Sequence, residues 1–175
     1  MARRGRLGGV LGTLAALFLA ARPVGAQNVT PRLVAEGHAG HASFADNSPI
    51  GHSVFGGSAR IFLTPRIAVG PEITYMRGPG ADRDWFFTGN ITVDVLDPRR
   101  RRRVAPYVIA GAGYTRQQAM VGTGLFSSGE GTFTAGAGAR VDLTDRLTDR
   151  LFVAPELRLG WELHWRAGLS LGVKW

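Results

Sequence analysis

The chain has no cysteine, a single lysine (Lys174), and, beyond its first 26 residues, no apolar run long enough to cross a membrane as a helix. Without cysteine there is no disulfide staple and no thiolate metal site. With its one lysine near the chain end, the sequence has no phosphate-cradling Gly-Lys motif, which sets nucleotide enzymes aside. After Gln27 no stretch carries a useful 3.6-residue apolar period, so a helical bundle or coiled coil is excluded. What the chain has instead is glycine, 25 in 175 residues, about twice the usual share. The length provides for one domain and at most a small appendage.

Met1 to Ala26 opens with Arg3, Arg4 and Arg6, continues through an apolar run from Leu7 to Ala21, and closes on Val24-Gly25-Ala26. Charge, then an apolar stretch, then small residues is the order of a cleavable secretory signal peptide. The run is interrupted by Gly8, Gly9 and Gly12 and is shorter than the roughly 20 residues of a spanning helix. The domain division expected is therefore residues 1–26 as signal peptide and 27–175 as one domain. No cysteine stands at the cleavage site, so a lipoprotein anchor is excluded. Cleavage removes Arg3, Arg4, Arg6 and Arg22 from the 21 cations and none of the 13 acids, leaving 17 against 13, or +4. So modest a balance, with no basic helix, does not support nucleic-acid binding.

The mature chain alternates with period two, which marks strands with one apolar and one polar or small face. In the last strand Trp165, Ala167, Leu169, Leu171, Val173 and Trp175 alternate with Arg166, Gly168, Ser170, Gly172 and Lys174. Leu151 to Trp161, Phe133 to Leu143, Trp85 to Val95 and Ile67 to Met76 repeat the pattern, with Phe152 as a bulky exception on the polar side. Leu33 to Phe44, Ser53 to Leu63 and Val104 to Thr115 alternate less cleanly and bring the number of strands to eight. The pieces between them are turn-rich, the longest being Arg116 to Gly129.

Period two alone does not separate a soluble barrel, apolar inside, from a membrane barrel, apolar outside. Three features favour the second. An apolar band about 25 Å tall, crossed by strands tilted near 40°, takes roughly ten residues per strand, as here. Trp85, Trp161, Trp165 and Trp175 fall at strand ends, where membrane interfaces hold amphipathic rings. The polar face mixes glycine with balanced charge: Glu36, Glu72, Asp94, Asp142 and Glu156 against Arg60, Arg140, Arg158, Arg166 and Lys174. Side chains of that kind fill an eight-stranded lumen and pair within it. The expected fold is an all-β, eight-stranded, antiparallel up-and-down transmembrane β-barrel.

With this signal peptide, these dyad strands and an aromatic last residue, the sequence resembles the small outer-membrane β-barrel proteins of Gram-negative-type bacteria, the OmpA/OmpX-like group. The resemblance implies an outer-membrane location with both termini periplasmic. It also implies that Trp165, Leu169, Leu171, Val173 and Trp175 form the terminal-strand signal read by the outer-membrane assembly machinery. Arg99, Arg100, Arg101, Arg102 and Arg103 then lie in a periplasmic turn beside phospholipid headgroups, where each arginine near an anionic surface contributes about 1 kcal/mol. Met120, Val121, Leu125 and Phe126, in the longest outer loop, are placed to meet a loop partner or lipopolysaccharide.

Some barrels of this group are enzymes acting on lipid A, and the nearest catalytic pattern here is His41-Ala42-Ser43 with Asp46 behind it. His41 and Ser43 share a strand face, which is what a His-activated hydroxyl needs. The lipid A deacylases, however, carry Asn after their His-x-Ser and place it in a later strand, whereas Phe44 follows here, in the first hairpin. His38 and His41, three apart, face opposite ways, as do His52 and Ser53, and His164 is read in a tight turn; no metal site and no cofactor are expected. The expected role is structural or surface interaction, with outer-membrane lipid and lipopolysaccharide as surroundings and no catalysis. A lipid A hydrolase or acyltransferase, a narrow channel, and a soluble periplasmic barrel are the alternatives.

Overall fold

The computed structural model describes residues 33–45, 50–96, 103–121, 124–143, 150–161 and 164–175. The signal peptide, Asp46 and Arg99 to Arg102 lie outside them. Eight strands run in chain order: β1 (Leu33–Phe44), β2 (Ile50–Phe62), β3 (Ile67–Arg77), β4 (Arg83–Asp94), β5 (Val104–Val121), β6 (Gly124–Asp142), β7 (Leu151–Gly160) and β8 (His164–Lys174). Each pairs antiparallel with the next, and β8 pairs back onto β1 to close the barrel. Leu33 and Trp175, the first and last described residues, exchange backbone hydrogen bonds of 3.3 and 2.9 Å and so sit at one end of the barrel. That is called the terminal end below, and the opposite one the far end.

The side chains are inverted relative to a water-soluble barrel. Phe55, Ile73, Phe87, Ile91, Leu157, Leu159, Leu169 and Leu171 stand exposed on the outer surface, while Glu36, Arg60, Glu72, Asp94, Arg140, Arg158 and Arg166 are buried in the lumen. At about 3.3 Å per residue and a tilt near 40°, an eleven-residue strand spans roughly 28 Å, close to the height of an outer-membrane hydrocarbon band.

Two apolar clusters close the lumen above and below the layer that holds Glu72, Arg158 and Arg166. At the terminal end Val34, Tyr107, Ile109, Phe152 and Ala154 pack with Phe62. At the far end Ala42, Val54, Met76 and Phe86 pack with Phe44. This explains why β1, β2 and β5 alternate poorly in the sequence: their inward positions include Val34, Phe44, Val54, Phe62, Tyr107 and Ile109, so both faces carry apolar residues. The bulky plugs need small partners. A Cβ on Gly138 would come within 2.6 Å of the Tyr107 ring, and one on Gly172 within 2.2 Å of Phe152, so glycine makes the room that each ring occupies.

Two features depart from the sequence expectation. The segment from Arg116 to Gly129, read as a loop, is ordered ladder: Arg116 pairs with Gly129 and Val121 with Gly124. The β4 ladder on β5 stops at Gln118 and the β7 ladder on β6 at Thr134, so the β5–β6 hairpin projects beyond the rim at the far end. Turn residues such as Gly, Ser and Thr conceal a strand when its side chains bury little and have no face to keep apolar. His164 opens β8, buried in the lumen, and does not sit in a turn. Within the ladders, β2–β3 skips the positions opposite Gly70 and Pro71, and β6–β7 those opposite Ala154 and Pro155, because proline has no N–H to donate.

Candidate functional site: the lumen and the lipid-facing shell

Alternation along β3, β7 and β8 turns Glu72, Glu156, Arg158 and Arg166 inward at mid-height, where they form one connected network. Arg158 donates to Glu72 Oε2 at 2.7 Å and to Glu156 Oε1 at 2.5 Å, and Arg166 donates to Glu72 Oε1 at 2.7 Å. Glu72 also accepts from Thr74 Oγ1 at 3.0 Å and Asn90 Nδ2 at 3.1 Å, and Glu156 accepts from the Tyr107 hydroxyl at 2.9 Å. Arg166 reaches Thr74 Oγ1 as well, at 2.9 Å. Glu72, 3 % exposed, thus carries two guanidinium partners and two neutral donors, which offsets the cost of removing a carboxylate from water.

Nearer the terminal end, Arg60 pairs with Glu36 at 2.9 Å and Arg140 with Asp94 at 2.5 Å. The Arg140 guanidinium stands 4.5 Å from the Tyr107 ring centroid, a cation–π contact that ties the ionic layer to the apolar plug below. Lys174 pairs with Asp142 at the terminal rim. All ten charged residues proposed for the lumen from alternation are therefore placed there, each against an opposite charge. A void beside them, lined by His38, Val54, Glu156, Arg166 and Ser170, has a volume of only about 10 Å³, room for one water at most. His38, inward on β1, hydrogen-bonds Thr74 Oγ1 at 3.1 Å.

The outer shell gathers its aromatics at the far end. Tyr75 lies tilted 4.8 Å from Trp85, which stacks with Phe87 at 6.3 Å, while Trp161 lies 5.1 Å from Phe133 and Trp165 5.8 Å from His41. Trp175 alone of the four tryptophans marks the terminal end. Trp165, Leu169, Leu171 and Val173 share the outer face of β8, with Trp175 following the strand. Arg103 is exposed at the start of β5, and its carbonyl accepts from Asp142 N at 2.9 Å.

His41 and Ser43 also share the outer face, away from every lumen carboxylate described above, and the contact His41 makes there is with Trp165. Among the described residues the arrangement holds a packed lumen, an apolar band and a projecting hairpin whose Leu125 and Phe126 are 64 % and 60 % exposed. One cluster escaped the sequence reading. His52, Asp82 and Asp84 converge at the far end. They are 30 and 32 positions apart from His52 to the two acids, and only the β2–β3–β4 register brings them together.

Compared by sequence, the chain matches no family profile and no curated protein. Comparison by structure finds chains of like fold. The Neisserial surface protein NspA superposes with a TM-score of 0.69 at 12% identity, covering 87% of this chain and 100% of that one. The N-terminal β-barrel domain of OprF from Pseudomonas aeruginosa gives 0.64 at 18% identity, covering 83% and 98%. The fold is that of the small outer-membrane β-barrels. Ail, the attachment invasion locus protein of Yersinia pestis, crystallised with the heparin analogue sucrose octasulfate, shares that fold at a TM-score of 0.53 and 14% identity, covering 81% and 95%.

Proposed function

We propose that this chain, after removal of Met1 to Ala26, is an integral outer-membrane barrel that neither conducts nor catalyses, and that it acts at the cell surface through its far end. The inversion of side chains carries the reading. Leucine, isoleucine and phenylalanine cover the outside, while the arginines and carboxylates are enclosed, and closure leaves no unpaired strand edge along the hydrocarbon band. The terminal end then faces the periplasm and the β5–β6 hairpin faces outward. Leu125 and Phe126 on that hairpin meet lipopolysaccharide or a partner's apolar surface. Ail, with its bound polyanionic sugar, is a case of a barrel of this fold in contact with a charged glycan analogue. The β8 outer row from Trp165 to Trp175 serves the assembly machinery, and the Arg99 to Arg103 turn rests against inner-leaflet headgroups.

Cell fractionation, gel mobility before and after boiling, and planar-bilayer recording test this reading together. The expected results are recovery in the outer-membrane fraction, altered mobility of the unboiled barrel, and no steady single-channel conductance, since the ionic layer and both plugs fill the lumen. Release by osmotic shock without detergent would instead identify a soluble periplasmic barrel, and a reproducible conductance a narrow channel. For the enzyme alternative, His41→Ala with Ser43→Ala is expected to leave the mass spectrum of lipid A unchanged. Loss of a lipid A species in that double variant would restore the deacylase reading.

A further inference from the structure

His52, Asp82 and Asp84 meet just inside the far rim. The imidazole Nε2 lies 2.8 Å from Asp82 Oδ2 and 3.6 Å from Asp84 Oδ2, and the three donor atoms all lie within 4.8 Å of one another. Tetrahedral coordination at about 2.0–2.1 Å separates its ligands by about 3.3 Å, so these spacings bracket what one small ion requires. His52 is 3 % exposed and the Asp84 side chain 7 %, while the Asp82 side chain is 25 % exposed and leaves an entry from the rim.

Two observations outside the cluster's own contacts point to a cation. The other ring nitrogen, Nδ1, lies 3.3 Å from the carbonyl of Ile50, a contact that turns the ring so that Nε2 points at the two carboxylates. Metal-binding histidines are oriented in the same way, by a backbone carbonyl on the ring nitrogen that points away from the metal. The second observation is Gly78. A Cβ built there would fall 2.4 Å from Asp82 Oδ2 and 2.5 Å from His52 Nε2, so the space on which these donors converge stays open because residue 78 has no side chain. On the inner side the Phe44 ring stands 4.8 Å from the imidazole, edge-on, and shuts off the lumen.

We propose that His52, Asp82 and Asp84 form a divalent transition-metal site of the zinc class, with three protein ligands and one position open toward the rim. One imidazole and two carboxylates suit a borderline ion better than Ca²⁺ or Mg²⁺, which take six or more oxygens. The bound ion ties β2 to the β3–β4 turn and to β4, directly above the apolar plug.

The test uses the tag-free refolded barrel in detergent, titrated calorimetrically with Zn²⁺ and followed optically with Co²⁺. One Zn²⁺ per barrel, visible ligand-field bands with Co²⁺, and a raised thermal midpoint in Zn²⁺ are expected. Asp82→Asn and Gly78→Ala are each expected to weaken binding by more than the roughly 10- to 100-fold that loss of an outer-shell partner costs. Both variants should keep the unboiled gel mobility of the parent. Gly78→Ala separates the site from general acidity, because it fills the space and leaves every donor in place. No uptake of Zn²⁺ by the parent, uptake unchanged in both variants, or saturable Ca²⁺ binding in preference to Zn²⁺ would each overturn the proposal.

Discussion

Glu72→Ala is expected to destabilise the barrel by about 3–5 kcal/mol, measured as the urea midpoint of tryptophan fluorescence in lipid vesicles. The substitution leaves Arg158 and Arg166, 3% and 7% exposed, without the carboxylate that each reaches at 2.7 Å. Glu156 does not make up for the loss. It already pairs with Arg158 at 2.5 Å and stands 3.9 Å from Arg166, so one carboxylate would face two cations in a dry layer. Removing the charges together tests the same physics from the other side. A variant with Glu72, Glu156, Arg158 and Arg166 all replaced by apolar residues of similar volume is expected to recover most of the lost stability, because two anions and two cations leave together and no uncompensated ion remains. Equal stability of the Glu72→Ala variant and the parent would show that the lumen admits water freely, and the packed ionic layer would then have to be abandoned.

Placing arginine at Ile73 is expected to cost about 2–4 kcal/mol in a bilayer, the range for a cation on the lipid face near mid-membrane. Ile73 is central on β3, 48% exposed, between Gly57 and Phe87 on the neighbouring strands. On the outside of a water-soluble barrel the same change falls within about 0.5 kcal/mol, as surface substitutions do. The difference between those two figures separates lipid from water around the barrel more sharply than fractionation does. Arginine at Leu125, on the projecting hairpin, is the control, and near-neutrality is expected there because the hairpin clears the band. A cost at Ile73 no larger than that at Leu125 would place the outer surface in water.

The eight-stranded barrel was legible because lipid and a narrow lumen demand opposite chemistry of successive residues, and β3, β4, β7 and β8 obey that demand almost without exception. Leu169 and Leu171 against Arg166 and Lys174 leave little freedom of interpretation. β1, β2 and β5 read poorly for a physical reason: the plugs at the two ends take apolar residues inward, so Val34, Val54 and Tyr107 contradict a rule that holds at mid-height. The projecting half of β5–β6 was invisible for the opposite reason. Where neither lipid nor lumen touches a strand, nothing in its composition enforces alternation, and Ser127, Ser128 and Gly129 look like any loop. Inward facing of charge could be assigned from parity, but partner choice could not, since Arg158 reaches across the barrel to Glu72 as readily as along its own strand to Glu156. The cluster of His52, Asp82 and Asp84 depends on the register of three strands at once, which spacing in one sequence does not reveal.

The seam between β1 and β8 pairs residue 34 with residue 174 and residue 44 with residue 164. Every other ladder joins neighbours in the chain and can zip as a local hairpin, but this one waits for the last strand to be delivered. Until then β1 and β7 both offer bare edges, and the ionic layer lacks Arg166, one of the two cations on Glu72. Closing so long a loop is slow compared with forming a hairpin. The polypeptide must therefore be kept apart from its copies as an open, sticky sheet until its last strand arrives, and its period of greatest danger is the interval just before the ring shuts.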